Sequence, residues 1–350
     1  MAQNVNFSEL GAESRSSATG GGWRQLGASL AGLRELTLLP VIILAIIAGP
    51  FIHSAFLTSG NFLNILQQSS ELSVVVIALS LVLIAGKFDL SLESVVGLAP
   101  MLGAWLIVTS TNEGGSGLGL NPYLAIVVVL AAGAFVGFIN GFMVTKLKLN
   151  AFIATLAMLI LLRGITMGMT DGKTLFSLPP EYLYLGRGKW FGVPISIWVA
   201  GFLYLVFGLF LRYHRLGRAL YAIGGNPDAA RAAGINVERV MWGTFVVAGM
   251  LAAVAGLMLT GRIASVVTSQ GQNMIFFVFA SAVIGGISLN GGRGRLIGAL
   301  TGVILLGLFR NLLILSQIPA FWIDAAFGAI IITALVFSWA TTRNKGALGS

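Results

Sequence analysis

Six ionisable side chains fall inside long apolar stretches of this sequence, where a charge is costly and usually has a function. They are Glu71, Asp89, Glu93, Arg163, Arg310 and Asp324. Charges in such surroundings pair with each other, line a wet path or carry protons. The four-residue spacing of Asp89 and Glu93 predicts one shared helix face, and Arg310 and Asp324, on consecutive apolar stretches, predict a structural ion pair. Glu71 requires a partner or a wet cavity.

Other kinds of chemistry have little support. The sequence has no cysteine, which excludes disulfides, thiolate metal sites and cysteine nucleophiles. Its two histidines, His53 and His214, lie far apart and offer no metal-ligand spacing. No Gly-x-x-x-x-Gly-Lys-Ser/Thr phosphate loop is present, so the chain is not expected to hydrolyse ATP. A net charge of +9 could suggest nucleic acid, but the basic residues form no separate basic helix or patch.

One polar stretch, residues 212–239, has a pattern suited to contact with another protein. Asn226 is a good helix N-cap and Pro227 suits the first helical position. Gly224 and Gly225 are expected to break the chain before them, and Gly234 to stop the helix. The short helix 227–234 would present a smooth surface of small residues, able to sit in a cleft on a partner and transmit a push. The alternative is an amphipathic turn lying on the membrane face.

The elements that position these residues are membrane-spanning helices. Only 9% of the 350 residues are charged and 57% are hydrophobic, against about 25% charged in a soluble domain. A helix needs about 20 mostly apolar residues to cross the hydrocarbon. Ten stretches qualify, and the short one at 274–290 is spanning or re-entrant: 37–57, 62–86, 90–110, 122–145, 151–170, 193–211, 240–260, 274–290, 296–315 and 320–340. The predicted fold class is an all-α polytopic membrane protein.

Charge bias predicts the orientation of these spans. With both termini inside, most of the 21 Lys and Arg fall in cytoplasmic connections, and only Lys173, Arg187, Lys189 and Arg262 fall in outer ones. Residues 1–35, polar and rich in Gly and Ser, are predicted to be a loosely ordered cytoplasmic tail, 36–342 the membrane domain and 343–350 a C-terminal tail. The loop 212–239 is then the longest cytoplasmic connection.

An internal similarity points to two related halves. Residues 84–91 end the second span, and residues 284–290 end the eighth with a similar glycine-rich sequence. Both lie at the cytoplasmic end of a span. Transporters commonly consist of two such repeats with the path near their interface, although two glycine-rich helix ends can also resemble each other by chance.

Four stretches carry a resemblance to a known family. The loop reads GRALYAIGGNPDAARAAGINVERV (217–240), and Asp228-Ala229-Ala230 followed by Gly234 resembles the EAA loop of ABC importer permeases, with Asp in the place of Glu. With residues 86–106, 140–164 and 283–308, in the same order and spacing, it resembles the ribose/xylose/arabinose-type sugar permeases of bacterial ABC importers over about residues 60–340. Departures are Lys87-Phe88, Glu93 where a small residue is usual, and Gln272–Phe277 in place of an acidic element.

The resemblance implies a permease subunit of the bacterial inner membrane that is not itself an enzyme. A separate ATPase would carry ATP and Mg²⁺ and dock on the cytoplasmic loop, and this chain would bind no cofactor or metal. An extracytoplasmic sugar-binding protein would deliver substrate, and a second permease, either another copy or a paralogue, would complete the pathway. The residues it assigns to ATPase coupling are Gly224, Gly225, Asn226, Pro227, Asp228, Ala229, Ala230, Arg231 and Gly234.

A neutral sugar or polyol calls for amides that match its hydroxyls and a ring on which it can stack. The residues predicted on this basis to line the substrate path are Gln67, Gln68, Glu71, Asn140, Thr155, Asn273, Phe276 and Phe277. Helix–helix hydrogen bonding and packing is the alternative explanation for each of them.

Two other functions remain open at this stage. A branched-chain amino acid ABC permease would have a similar loop. An ion-coupled secondary transporter could use Glu71 and Asp89 as proton carriers, but the helix beginning at Pro227 would then have no role. Pentose, hexose and polyol substrates are equally compatible with the sequence.

Overall fold

The chain folds almost entirely into helices. A computed structural model describes residues 38–330, 332 and 333. The predicted tails, 1–35 and 343–350, lie outside the described residues. In the described part the only strands are β1 (Lys189–Trp190) and β2 (Val193–Pro194), which form a short antiparallel hairpin.

Thirteen α-helices are described. They are α1 (Leu39–Ile52), α2 (Ser59–Ile84), α3 (Leu92–Ile107), α4 (Pro122–Thr145), α5 (Ala151–Met169), α6 (Pro180–Arg187), α7 (Ile195–Tyr213), α8 (Arg215–Gly225), α9 (Pro227–Ala232), α10 (Val237–Ile263), α11 (Met274–Ile284), α12 (Leu296–Leu315) and α13 (Ala320–Ile330). Single 3₁₀ turns cover Ser54–Leu57 and Thr111–Glu113.

Six of these helices are long and apolar enough to cross a membrane, namely α2, α4, α5, α7, α10 and α12. Four shorter apolar helices, α1, α3, α11 and α13, coincide with the other four predicted spans. The all-α polytopic fold is therefore confirmed. At 11 residues, α11 is about 16 Å long, too short to cross the hydrocarbon alone.

The helices divide into a buried centre and an exposed periphery. The most apolar windows of α2 and α10 are 78% and 61% buried, whereas those of α4, α5 and α7 are 28% buried. At the centre, α10 packs against α2, α3, α4 and α6. The peripheral helices turn apolar side chains outward, as lipid-facing helices do.

Glycines allow the closest of these contacts. On α4, Gly133 faces the backbone of Gly249 and Gly137 faces that of Phe245, so closely that a Cβ at either glycine would collide. On α12, Gly298 packs in the same way against Gly285. This small-xxx-small spacing lets helix backbones approach each other in membranes.

The two similar segments end their helices with the same backbone geometry. At the end of α2, the Gly86 N–H donates to the Leu83 carbonyl and the Lys87 N–H to the Val82 carbonyl, at 2.8 and 3.0 Å. Two hundred residues later, Gly286 and Ile287 donate to Val283 and Ala282, at 2.9 Å each. Both sets are Schellman motifs, with Gly86 and Gly286 at positive φ. This correspondence supports two related halves.

One expectation about the segment between α2 and α3 is wrong. Asp89 and Glu93 do not share a helix face, because Asp89 precedes α3, which begins at Leu92. The Asp89 carboxylate accepts bonds from the Ser91 backbone and hydroxyl, at 3.0 and 2.6 Å. These bonds favour a local turn over helix at this position.

Candidate functional site

The polar loop 212–239 forms two helices joined at a sharp corner. Asn226 caps α9, since its side-chain oxygen accepts the N–H groups of Asp228 and Ala229 at 2.9 and 3.0 Å. The break comes at Asn226 and not at the preceding glycines, both of which lie inside α8. Pro227 explains the position of the break, because a proline disfavours helical geometry in the residue before it. Gly234, at φ +82°, ends the segment.

The short helix α9 exposes small side chains to its surroundings. Only Ala230 is buried, and Ala229 and Arg231 are exposed. Arg231 donates to the Asp228 carboxylate at 2.7 Å. The predicted coupling residues Gly224 to Gly234 thus form one continuous corner, with Gly224 and Ala230 turned towards the body of the protein.

Behind α9 the loop meets the end of α2 and the glycines that follow the second similar segment, in the α11–α12 connection. Gly224 packs against the Ile84 carbonyl and the Gly292 N–H so tightly that no Cβ fits. The Gly292 N–H itself donates to the Ile84 carbonyl at 2.8 Å, and the Tyr221 hydroxyl donates to the Gly294 carbonyl at 2.8 Å. A displacement of α8 would therefore reach α2 and the α11–α12 connection directly.

Two residues predicted for the substrate path instead hold the turn between α2 and α3. Asn140 and Thr155 are fully buried. The Asn140 amide donates to the Ser91 hydroxyl at 2.7 Å, and the Thr155 hydroxyl accepts the Leu90 N–H at 3.1 Å. These contacts favour the structural explanation for both residues.

At the other end of the helices, a cavity of about 520 Å³ brings several predicted residues together. Its walls come from α2, the end of α10, the connection between α10 and α11, the start of α11, α12 and α13. The predicted residues that line it are Gln68, Glu71, Asn273, Phe277, Arg310 and Asp324. Gln67 does not line it, because its amide donates to the Gly186 carbonyl at 2.7 Å. Phe276 is exposed and does not line it either.

Both buried glutamates in the spans have arginine partners. Glu71 accepts a hydrogen bond from the Arg262 Nε at 2.6 Å, and Glu93 pairs with Arg163. Arg262 is not among the residues predicted from the sequence, because the predicted span ends at residue 260, whereas α10 continues to Ile263. The sequence signal that could have identified Arg262 is a charged residue in the last turn of a long apolar helix.

The predicted ion pair between Arg310 and Asp324 stays a prediction. Both residues line the cavity, but the four salt bridges among the described residues do not include one between them. The Arg310 guanidinium lies over the Phe277 ring, 5.3 Å from its centroid.

Sequence comparisons place the chain in a family. The family described as "Branched-chain amino acid transport system / permease component" matches residues 61–335. The ribose import permease protein of Haemophilus influenzae is 34% identical, over 89% of this chain and 94% of its own length. That of Bacillus subtilis is 35% identical, over 88% and 92%, and the L-arabinose transport system permease protein of Escherichia coli is 32% identical, over 95% and 96%.

No solved structure matches the chain. The family match covers most of the chain and all ten apolar helices except α1. The relatives, too, match over nearly their whole length. The chain therefore belongs to the branched-chain amino acid transport system / permease component family and is a multi-pass protein of the inner membrane.

Proposed function

We propose that this chain is the membrane-spanning permease subunit of an ATP-driven importer for a monosaccharide or polyol. The observation that carries the proposal is the junction at Gly224, which connects the loop bearing the exposed helix α9 to the end of α2 and to the α11–α12 connection. A partner that moves α9 would move α2 and the α11–α12 connection together, as alternating access between two halves requires.

The partners follow from this arrangement and from the relatives. A separate ATPase, holding ATP and Mg²⁺, docks on the corner Gly224–Gly234, and a sugar-binding protein delivers substrate from outside. A second copy of the chain or a paralogue completes the pathway. The chain acts as a transporter subunit, and hydrolysis belongs to the ATPase.

A sugar or polyol substrate is favoured over a branched-chain amino acid. The family description names amino acids, but the similar proteins are ribose and arabinose permeases. An ion-coupled mechanism is disfavoured by the pairing of Glu71 with Arg262, because an ion-paired carboxylate is a poor proton carrier.

Cross-linking tests this function, and the absence of native cysteine makes each introduced thiol unique. With Ala229→Cys, in the chain assembled with its own ATPase, we expect labelling from the cytoplasmic side only and a cross-link to the ATPase. Lys189→Cys, in the β1–β2 hairpin, is the control and should be labelled from outside without an ATPase adduct. Labelling of Ala229→Cys from outside, or the absence of its adduct, would contradict the proposal.

A further inference from the structure

The cavity of about 520 Å³ described above is balanced in charge. The ionisable side chains that line it, among the described residues, are Glu71, Arg262, Arg310 and Asp324. Two are acidic and two are basic, so the formal charges cancel. Glu71 is 2% exposed and already paired with Arg262. The groups left to meet a ligand are Arg310 and Asp324, both exposed at this surface.

Arg310 is held in place, but its hydrogen-bond donors remain available. Its guanidinium stacks on Phe277 at 5.3 Å, and no described residue forms a hydrogen bond with it. Asp324, Glu71 and Arg262 line the same cavity. A guanidinium only donates hydrogen bonds and a carboxylate only accepts them. A ligand hydroxyl does both, so it could accept a bond from Arg310 and donate one to Asp324.

Amides extend this pattern along the cavity wall. Gln68 lies one helical turn before Glu71, and Asn273 stands at the start of α11 at φ +65°. This conformation, which asparagine tolerates better than most residues, brings the Asn273 side chain to the cavity wall.

We propose that this cavity is a binding site within the permease itself for a neutral, polyhydroxylated ligand, contacted by Arg310, Asp324, Asn273 and Gln68. A ligand hydroxyl bridges Arg310 and Asp324, and the two amides meet further hydroxyls. Its volume of about 520 Å³ lies within the roughly 300–1,000 Å³ of small-molecule sites. A phosphorylated sugar is disfavoured, because Glu71 and Asp324 already balance the two arginines and a phosphate would give the site a net negative charge. The inference rests on the proposed import function and assigns its substrate a site.

Protection of a single thiol tests the site. Ser269 is exposed, lines the cavity and can be replaced by cysteine with little change in shape. In the full chain in nanodiscs, about 5 mM D-ribose, L-arabinose or D-glucitol should slow maleimide labelling of Ser269→Cys at least about fivefold for one or more of the three. A fivefold slowing requires about 80% occupancy, which about 5 mM ligand reaches when Kd is about 1 mM or lower. Ser116→Cys, in the connection between α3 and α4, is the matched control and should keep its rate. Ribose 5-phosphate should protect neither.

Charge variants separate recognition from simple obstruction of the cavity. Arg310→Gln should raise the sugar concentration for half-protection about tenfold, since hydrogen bonds to charged groups contribute roughly 1.5–3 kcal/mol. Asp324→Asn leaves one excess positive charge and should allow ribose 5-phosphate to protect. Two results would overturn the site: equal labelling of Ser269→Cys with and without all three neutral ligands, or protection by ribose 5-phosphate in the background with all four charges intact.

The site and the proposed function can fail separately. ATP-driven uptake by the assembled importer, with no protection of Ser269→Cys, would remove the site and leave the function. Protection without ATP-driven uptake would retain the site and remove the ATPase-coupled mechanism.

Discussion

Glu93 shows how one buried charge can hold three helices. The carboxylate at the start of α3 pairs with Arg163 on α5 and accepts the Ile275 N–H at the start of α11, at 3.2 Å. It is only 3% exposed. A buried carboxylate with a charged partner and a backbone donor has its desolvation cost offset, which explains a glutamate where the resembled permeases have a small residue.

The sequence indicated that Glu93 needs a purpose but could not name its partner. Arg163 is 70 residues away, and pairing over such distances depends on how the helices pack. The same limit applies to Gln67, Asn140 and Thr155, whose types suit a sugar path. Each turned out to bind a backbone or hydroxyl group in a neighbouring segment, which only the packed structure reveals.

Loss of Glu93 should destabilise the protein. We expect Glu93→Ala to cost about 3 kcal/mol, because it leaves the partly buried Arg163 unpaired, and to lower the apparent Tm of the detergent-solubilised chain. Glu238→Ala is the control: its ion pair with Lys146 is 3.7 Å long and about half exposed, and should contribute about 0–1 kcal/mol. Equal losses of Tm in both variants would contradict the assigned role of Glu93.

At the scale of elements, the loop between α7 and α10 acts through its corner. The residue types of Asn226, Pro227 and Gly234 predicted the start and end of α9 correctly, because caps and stops are local. The junction behind it could not be predicted, since Gly224, Ile84 and Gly292 meet only in the folded chain. The repeat at residues 84–91 and 284–290 was the sequence signal closest to it.

Neighbouring glycines provide a matched test of the junction. A Cβ at Gly224 would collide with backbone atoms of Ile84 and Gly292, whereas one at Gly225 meets nothing within 4 Å. We expect Gly224→Ala to reduce ATP-driven uptake about tenfold or more, because overpacking costs roughly 1–3 kcal/mol. Gly225→Ala should keep uptake within about twofold, since alanine favours helix over glycine.

Uptake rates, normalised to the amount of importer assembled, measure this effect. Co-purification of the ATPase should survive Gly224→Ala, because Gly224 faces the body of the permease and not the partner. It should also survive Gly225→Ala, because one added methyl group keeps the exposed corner a surface of small side chains. An uptake rate for Gly224→Ala equal to that for Gly225→Ala would rule out transmission through the junction.

Over the whole molecule, the two candidate sites lie at opposite ends of the same helices. The junction gathers the ends of α2 and α8 and the α11–α12 connection, whereas the cavity lies among earlier turns of α2, the C-terminal parts of α10 and α12 and the start of α13. Hydrophobicity located all ten apolar helices, of which six are long enough to span the bilayer. It could not identify the central helices, since α2, at 78% buried, is less apolar than the peripheral α4.

Energy coupling in the reconstituted importer is the most direct test of this account. Proteoliposomes containing the chain, its ATPase and its binding protein should accumulate labelled substrate with internal ATP, and should lose uptake when the ATPase is omitted, whether or not a proton gradient is imposed. Accumulation driven by a proton gradient, in vesicles that contain this chain and no ATPase, would contradict it.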